Sequence, residues 1–352
     1  MLDDLKQISE IDKSDMLKAV EEFPKQIKQS KEIIDSSSLP RIFKVDNIII
    51  SGMGGSAIPG DIIQSLFRER SEIPIFVTRE YDLPKWANKN TLVFSLSYSG
   101  NTEETLSTFK HAYQKHCKII GISSGGKLQE YCEKRQIPHI KIPSGFQPRA
   151  ATGYILFSVL YALNKTGVIT HDMDSEIKET ISVLEEFSKH NSRDVSEKDN
   201  LSKQIATKIQ GKIPRLYGWS FFVPISKRWC TQLNENSKVI CSYAEATETS
   251  HNDIVAWSMD SDASKKYSCI IFRDHEDETV YMSTHLNFMR DLFKDVSGNV
   301  IEIPVVGKKR LTKMMYLMYL GDFVSVYLAI LRKIDPTPVE AIIELKEKLS
   351  KL

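Results

Sequence analysis

The sequence feature that most constrains the fold is a short β-branched run that leads directly into a glycine-rich loop. Residues 47–50 read Asn-Ile-Ile-Ile, which is typical of a strand buried on both faces. Residues 51–57 then contain three glycines, and a helix is predicted from about residue 60 to residue 68. A buried strand that turns sharply into a helix indicates a parallel sheet covered by helices.

The same alternation of strand and helix continues along the chain. Further strands are predicted at residues 75–77, 92–96, 118–122, 140–142, 215–219, 268–272 and 300–303. Helices are predicted within residues 1–35 and at 149–163, 176–189, 223–234, 277–295, 310–332 and 338–350. We therefore expect an α/β fold with two parallel sheets, each flanked by helices, whose two halves are divergent copies of one unit.

The length of 352 residues exceeds that of a usual single domain, so two domains are expected. We place the first domain, with its leading helix, at residues 1–165. A connecting segment follows at 166–199, and the second domain, with its C-terminal helices, occupies 200–352.

Charge and cysteine content narrow the class of protein. A formal net charge of +1 argues against a nucleic acid or a membrane surface as partner. The N-terminus lacks the basic flank and apolar core of a signal peptide, and no apolar run approaches the ~20 residues of a membrane helix. The five cysteines form no Cys-x-x-Cys pair, which suits a reducing compartment. We expect a cytoplasmic protein.

The loop at residues 51–57 is a candidate anion site, because it aims backbone amides and a helix N-terminus at one point. Two other interpretations compete with this one. The glycines could simply serve a tight turn. They also fit the G-x-G-x-x-A dinucleotide fingerprint, for which Glu80 is only a loose candidate to hold the ribose.

A second loop favours a phosphate over a dinucleotide. Residues 97–105 follow a strand and open a helix, and they place the hydroxyls of Ser97, Ser99 and Thr102 near its N-terminus. Hydroxyls and amides together can hold a phosphomonoester without basic side chains. A third loop, residues 123–127, follows the next strand in the same way. All three loops should converge at the carboxyl edge of the sheet.

A carboxylate and an imidazole lie in two polar stretches farther along. Glu235 falls within residues 232–238 and His251 within 247–253. A Glu and a His in one enzyme-sized chain mean little by themselves. Such a pair does fit aldose–ketose isomerisation, in which a carboxylate moves a proton between C1 and C2 and a histidine helps to open the sugar ring.

The first two loops resemble those of the sugar isomerase (SIS) domain, a flavodoxin-like unit that binds phosphosugars. Together with several further motifs, they resemble the bifunctional phosphoglucose/phosphomannose isomerase family. The further motifs lie at residues 147–151, 234–238, 248–252, 335–339 and 345–346. The resemblance extends from about residue 45 to the end and implies two SIS domains, each an α/β/α sandwich, in a homodimer.

The resemblance also implies a role for each site residue. Glu235 would be the base that acts through a cis-enediolate, and His251 would assist ring opening in the partner subunit's site, oriented or capped by Glu248. Arg149 would stabilise the enediolate, and Lys346 would approach the ring. The implied phosphate-binding residues are Gly55, Ser56, Ser97, Ser99 and Thr102.

The activity so implied is interconversion of glucose 6-phosphate and fructose 6-phosphate, with mannose 6-phosphate as a further substrate. It needs no cofactor and no metal, and no His, Cys, Asp and Glu cluster in the sequence has metal-ligand spacing. Two differences from the family bear on this activity. Thr247 stands where the family commonly has Pro. Members that use mannose 6-phosphate tend to carry a Thr near C2 of the sugar, and here either Thr337 or Val339 could face C2. The alternatives are a non-catalytic phosphosugar-binding SIS regulator and a dinucleotide-dependent oxidoreductase.

Overall fold

The computed structural model describes residues 1–259 and 261–349. Its strands are β1 (Asn47–Ser51), β2 (Ile75–Thr78), β3 (Thr91–Leu96), β4 (Lys118–Ser123), β5 (His139–Lys141), β6 (Ile213–Gly218), β7 (Ser242–Glu245), β8 (Tyr267–Arg273) and β9 (Asn299–Pro304). Its helices up to the middle of the chain are α1 (Leu5–Ile11), α2 (Met16–Glu21), α3 (Phe23–Ser36), α4 (Ile58–Phe67), α5 (Glu103–Gln114), α6 (Gly126–Lys134), α7 (Thr152–Lys165) and α8 (Met173–Asn191). The later helices are α9 (Leu201–Ile209), α10 (Val223–Glu235), α11 (Ala246–Thr249), α12 (Asp253–Met259), α13 (Ser261–Ser264), α14 (Val280–Val296), α15 (Arg310–Leu331) and α16 (Glu340–Leu349).

The chain forms two compact units. The first unit comprises Glu22–Leu184 and Gly307–Lys313. The second unit comprises Met1–Glu21, Glu185–Val306 and the described residues from 314 onward.

The first unit is built on a parallel five-stranded sheet of order β2-β1-β3-β4-β5. This is the flavodoxin-like order, with β1 and β3 inside the sheet. Ile49 of β1 packs in a core cluster with Phe109 of α5 and Leu128 of α6. On the other face, Ile50 contacts the backbone of α4 at Gly60, where an added Cβ would lie 3.0 Å from the Ile50 side chain. Helices therefore cover both faces, which confirms the predicted sheet flanked by helices.

The second unit has a parallel four-stranded sheet of order β7-β6-β8-β9. This order matches β2-β1-β3-β4 of the first sheet, which confirms that both halves contain the same kind of parallel unit. The edge strand β7 was not predicted, because its residues are polar and only partly buried on one face. Helix α15 is long and apolar enough to cross a membrane, but 94% of its most apolar stretch is buried inside the protein, as in a core helix.

The unit boundaries differ from the predicted domains, 1–165 and 200–352, chiefly at the N-terminus. Residues 1–21 belong to the second unit, where Asp3 pairs with the fully buried Lys203 at 3.1 Å. The leading helix is also divided in three, because the Asp12 carboxylate accepts the Met16 and Leu17 amides and so begins α2. The last predicted helix ends at Leu349, and its predicted last residue, 350, lies outside the described residues.

Candidate active site

The glycine loop after β1 forms a 3₁₀ turn, Gly54–Ser56, before α4 begins. Gly54 has φ +51°, a left-handed conformation that favours glycine. Gly55 is needed for a different reason. A Cβ there would lie 3.1 Å from Cα and N of Arg149. The loop therefore packs directly on the backbone of the turn Pro148–Ala150, which carries Arg149.

The second and third loops lie in equally close contact. A Cβ on Gly100 would lie 1.8 Å from the Gly125 carbonyl oxygen. The two loops could therefore not lie this close to each other if position 100 carried a side chain. The Leu128 amide donates to the Gly100 carbonyl at 2.9 Å, and the Ser124 amide donates to the Tyr98 carbonyl at 2.9 Å. The Tyr98 amide in turn donates to Ser56 Oγ of the first loop at 3.1 Å. The predicted convergence of the three loops is confirmed.

The hydroxyl groups in these loops differ in exposure. Ser56 and Ser97 are buried, Thr102 is half-buried and Ser99 is exposed. Ser97 Oγ lies 2.8 Å from Thr102 Oγ1 and accepts the Thr102 amide at 3.3 Å. Thr102 precedes α5, but its side chain does not cap that helix. The backbone amides of the first turn can therefore donate hydrogen bonds to an anion. Ser97 therefore also braces the loop.

Tyr98 ties the second loop to the segment that leads to Arg149. Its hydroxyl donates to the Pro143 carbonyl at 3.1 Å and accepts the Phe146 amide at 2.8 Å. Arg149 itself is only 2% exposed. The structure thus places Arg149 beside the predicted phosphate loops of the same unit. Tyr98 was not predicted, although its position within the hydroxyl-rich loop was a signal.

His139 supports the third loop from β5. Its Nε2 lies 2.8 Å from Ser123 Oγ, and that hydroxyl donates to the Gly125 carbonyl at 2.7 Å. Since Ser123 uses its only hydrogen for this bond, the imidazole is the donor to Ser123. Burial lowers the pKa of His139 below its ordinary value of 6.5. The histidine is therefore neutral in the folded protein near neutral pH.

We expect His139 to make stability depend on pH. As pH falls through about 6.5, the unfolded chain takes up a proton that the folded imidazole does not, so the free energy of unfolding falls. His139→Gln keeps a donor toward Ser123 and removes this contribution. Urea unfolding at pH values of about 7.5 and 5.5 should show a larger loss for the wild type than for the variant. Equal losses would contradict the expectation.

In the second unit, Glu235 is the last residue of α10 and is half-buried. It lines an open cleft of about 570 Å³, whose other wall is the segment 334–342 that leads into α16. Lys238, with φ +54°, donates its ammonium to the carbonyls of Glu235 and Pro336 and so joins the two walls. Val339 is among the cleft-lining residues, whereas Thr337 is not. Lys238 was not predicted, although it lies within the Glu235 motif.

The two asparagines beside Glu235 have structural bonds. The Asn234 side chain accepts the Cys241 amide at 3.2 Å. The Asn236 side chain donates to Ser325 Oγ at 2.9 Å. Both side chains therefore stabilise the turn that holds the Glu235 carboxylate.

His251 and Lys346 lie on exposed parts of the second unit. His251 follows α11, and its ring centroid is 6.4 Å from that of His285. Glu248 accepts the Asn252 side chain at 2.7 Å and, through its carbonyl, the His251 amide at 3.0 Å, so it caps this loop. Lys346 lies one turn beyond the cleft residue Ile342 on α16. Neither His251 nor Lys346 is among the described residues that line the Glu235 cleft.

No group of three or more His, Cys, Asp or Glu residues within the described ranges is arranged to hold a metal ion.

Comparison with known proteins identifies both halves of the chain. Residues 41–137 match the SIS domain model, and residues 198–349 match the model of the bacterial phospho-glucose isomerase C-terminal SIS domain. The fold is also similar to a crystal structure of a hypothetical protein from Thermus thermophilus, with a TM-score of 0.76 at 12% identity, covering 98% of this chain and 94% of that one. At that identity the likeness shows the fold alone.

Two relatives match most of the chain. The bifunctional phosphoglucose/phosphomannose isomerase of Caldicellulosiruptor bescii is 39% identical over 96% of this chain and 99% of its own length. The enzyme of the same name from Aquifex aeolicus is 34% identical over 86% of this chain and 90% of its own. The motifs, the paired parallel sheets and these relatives lead to one conclusion: the chain belongs to the bifunctional phosphoglucose/phosphomannose isomerase family, whose members are sugar-phosphate isomerases.

Proposed function

We propose that this isomerase interconverts glucose 6-phosphate and fructose 6-phosphate by proton transfer, without a metal or other cofactor. The observation that carries the proposal is the contact of three hydroxyl- and amide-rich loops with one another and with the Arg149 turn. Gly55, Ser56, Ser97, Ser99 and Thr102 would bind the phosphate. The amides of three helix N-termini supply further positive potential for that dianion.

The reaction moves one proton between neighbouring carbons of the open-chain sugar. Glu235 would take the proton from C2 of the aldose and return it to C1, while a second proton passes from the C2 hydroxyl oxygen to the C1 oxygen. The substrate is neither oxidised nor reduced overall, so no redox cofactor is needed. The Arg149 guanidinium would stabilise the charge of the enediolate, and Lys346 would approach the ring.

His251 would assist ring opening in the site of a partner subunit, which requires a homodimer. The exposure of the His251 segment supports this. Helix α12 packs beside α14, and both present exposed apolar side chains, including Met259 at 83% and Tyr281 at 80% exposure. Apolar side chains concentrated in this way are typical of a protein–protein contact. We further infer that the enzyme works in the cytoplasm.

Mannose 6-phosphate is the second proposed substrate. Its enediolate is the same as that of glucose 6-phosphate, because C2 is planar there and reprotonation from the other face gives the epimer. One site could therefore serve both epimers if the C2 hydroxyl is loosely held. Of the two candidates to face C2, Val339 lines the Glu235 cleft, whereas Thr337 is not among its lining residues.

A coupled assay tests the proposed function. Wild-type enzyme given fructose 6-phosphate with a chelator present should form glucose 6-phosphate. In the reverse direction, glucose 6-phosphate deuterated at C2 should lose its label to water or transfer it to C1. Ser56→Ala should raise KM by about tenfold with a smaller change in kcat, because it removes one phosphate contact. Phosphosugar binding without turnover would favour the non-catalytic regulator, and affinity for a nicotinamide would favour the oxidoreductase.

A further inference from the structure

Two cysteines of the second unit lie in direct contact. Cys230 is on α10, and Cys241 immediately precedes β7. Their Sγ atoms are 2.7 Å apart. A disulfide bond is about 2.05 Å long, so a shift of well under 1 Å would allow the bond to form. Both are free thiols in the structure.

The pair brackets the turn that holds Glu235. The segment between them runs from the last part of α10 through Lys238 to the start of β7. This segment is already folded back on itself, because the Cys241 amide donates to the Asn234 side chain at 3.2 Å. A bond between the two sulfurs would therefore close a short loop around an arrangement that the fold already favours, with little distortion.

We propose that Cys230 and Cys241 are a reversible disulfide site that responds to peroxide and fixes the Glu235 turn in the oxidised enzyme. One thiolate attacks hydrogen peroxide, taking one oxygen as a sulfenic acid and releasing hydroxide. The second thiolate then attacks that sulfur, forms the S–S bond and releases the oxygen as hydroxide. Two thiols and one peroxide thus give one disulfide and two waters, and a dithiol reductant reverses the change.

The surroundings of the two thiols determine how fast they are oxidised and which of them the oxidant reaches first. Cys230 is 4% exposed, whereas Cys241 is partly exposed, so the oxidant reaches Cys241 first. Burial raises the pKa of the Cys241 thiol, and Arg215 opposes this only in part. Since the thiolate is the reactive form, oxidation should be slow near neutral pH and faster in alkaline solution. In a reducing compartment such a bond would respond to stress and would not be permanent.

The test uses the full-length wild-type protein, treated with hydrogen peroxide at pH about 8.5 and then denatured for thiol counting. The protein should lose two of its five thiols, and peptide mapping should link Cys230 to Cys241 within one chain. Dithiothreitol should restore both thiols. Oxidation should raise Tm by about 5–8 °C through loop closure. Any other linkage, or higher oxidation of Cys241 without a bond, would overturn the proposal.

Conservative variants provide the controls. Cys230→Ser and Cys241→Ser should each abolish the Tm rise, whereas Cys117→Ser, which changes a partly exposed thiol in the first unit, should leave it intact. A change in kcat on oxidation is a separate readout that rests on the proposed function of Glu235. Because the bond is detected by mass and thiol count, its failure and the failure of that function are distinguishable.

Discussion

Glu235→Gln should lower kcat at least a thousandfold and leave phosphosugar binding nearly unchanged. Glutamine preserves the size of the side chain and its hydrogen bonding, but it cannot accept the proton from C2. Stability should not fall with activity. Glu235 ends α10, and a negative charge at a helix C-terminus is unfavourable to the fold. An unchanged or slightly higher Tm together with lost turnover would identify Glu235 as the base.

The structure offers a matched control for this substitution. Glu340 is a second carboxylate that lines the same cleft, and it is exposed at the start of α16. Glu340→Gln therefore changes the charge of the cleft by the same amount and should retain most of the activity. A comparable loss of activity in both variants would mean that turnover depends on the net charge of the cleft and not on a single base at position 235. Normal turnover by Glu235→Gln would remove this residue from the mechanism.

The strands that could be predicted from the sequence are those buried on both faces. β1, β3, β4 and β8 are continuous apolar runs, because helices cover each side of a parallel sheet. The edge strand β7 lacks such a run, since its alternate residues are exposed. β7 forms because it pairs with β6, a separate segment of the sequence. The pattern of residues 242–245 alone therefore could not predict it.

The candidate site, too, could be predicted only in part. The loops proposed to bind phosphate were predictable because glycines and hydroxyls at strand ends are local signals, and their convergence follows from the parallel sheet. The composition of the Glu235 cleft was not predictable from local pattern. Lys238 reaches the Pro336 carbonyl from a distant part of the sequence, and Val339 enters the cleft by the same tertiary packing. For the same reason residues 1–21 could not be assigned to the second unit in advance, because their partners there, such as the buried Lys203 that pairs with Asp3, are distant in the sequence.

Asp322→Leu alone should destabilise the second unit by about 3–5 kcal/mol, because it would leave the Arg228 guanidinium buried without its carboxylate. Arg228 of α10 donates Nε and Nη2 to the two Asp322 oxygens at 3.0 and 2.9 Å, and the side chains are only 2% and 7% exposed. Burial raises the pKa of Asp322, and the bonds from Arg228 oppose that rise. Urea unfolding of the variant should show the lost stability directly.

The double variant Arg228→Met with Asp322→Leu separates this electrostatic cost from ordinary packing. Filling the same space with apolar side chains leaves no buried charge, so most of the stability should return, and a double-mutant cycle should give a coupling of several kcal/mol. Additive losses would show instead that the site depends on shape alone.

The variant Asp322→Leu also leads to a prediction about activity. The Ser325 hydroxyl donates to the Asp322 backbone carbonyl at 2.7 Å and accepts a hydrogen bond from the side chain of Asn236, the neighbour of Glu235. The single variant should therefore lower kcat even under conditions where it stays folded, because any shift of α15 at Asp322 is passed to the turn of the proposed base.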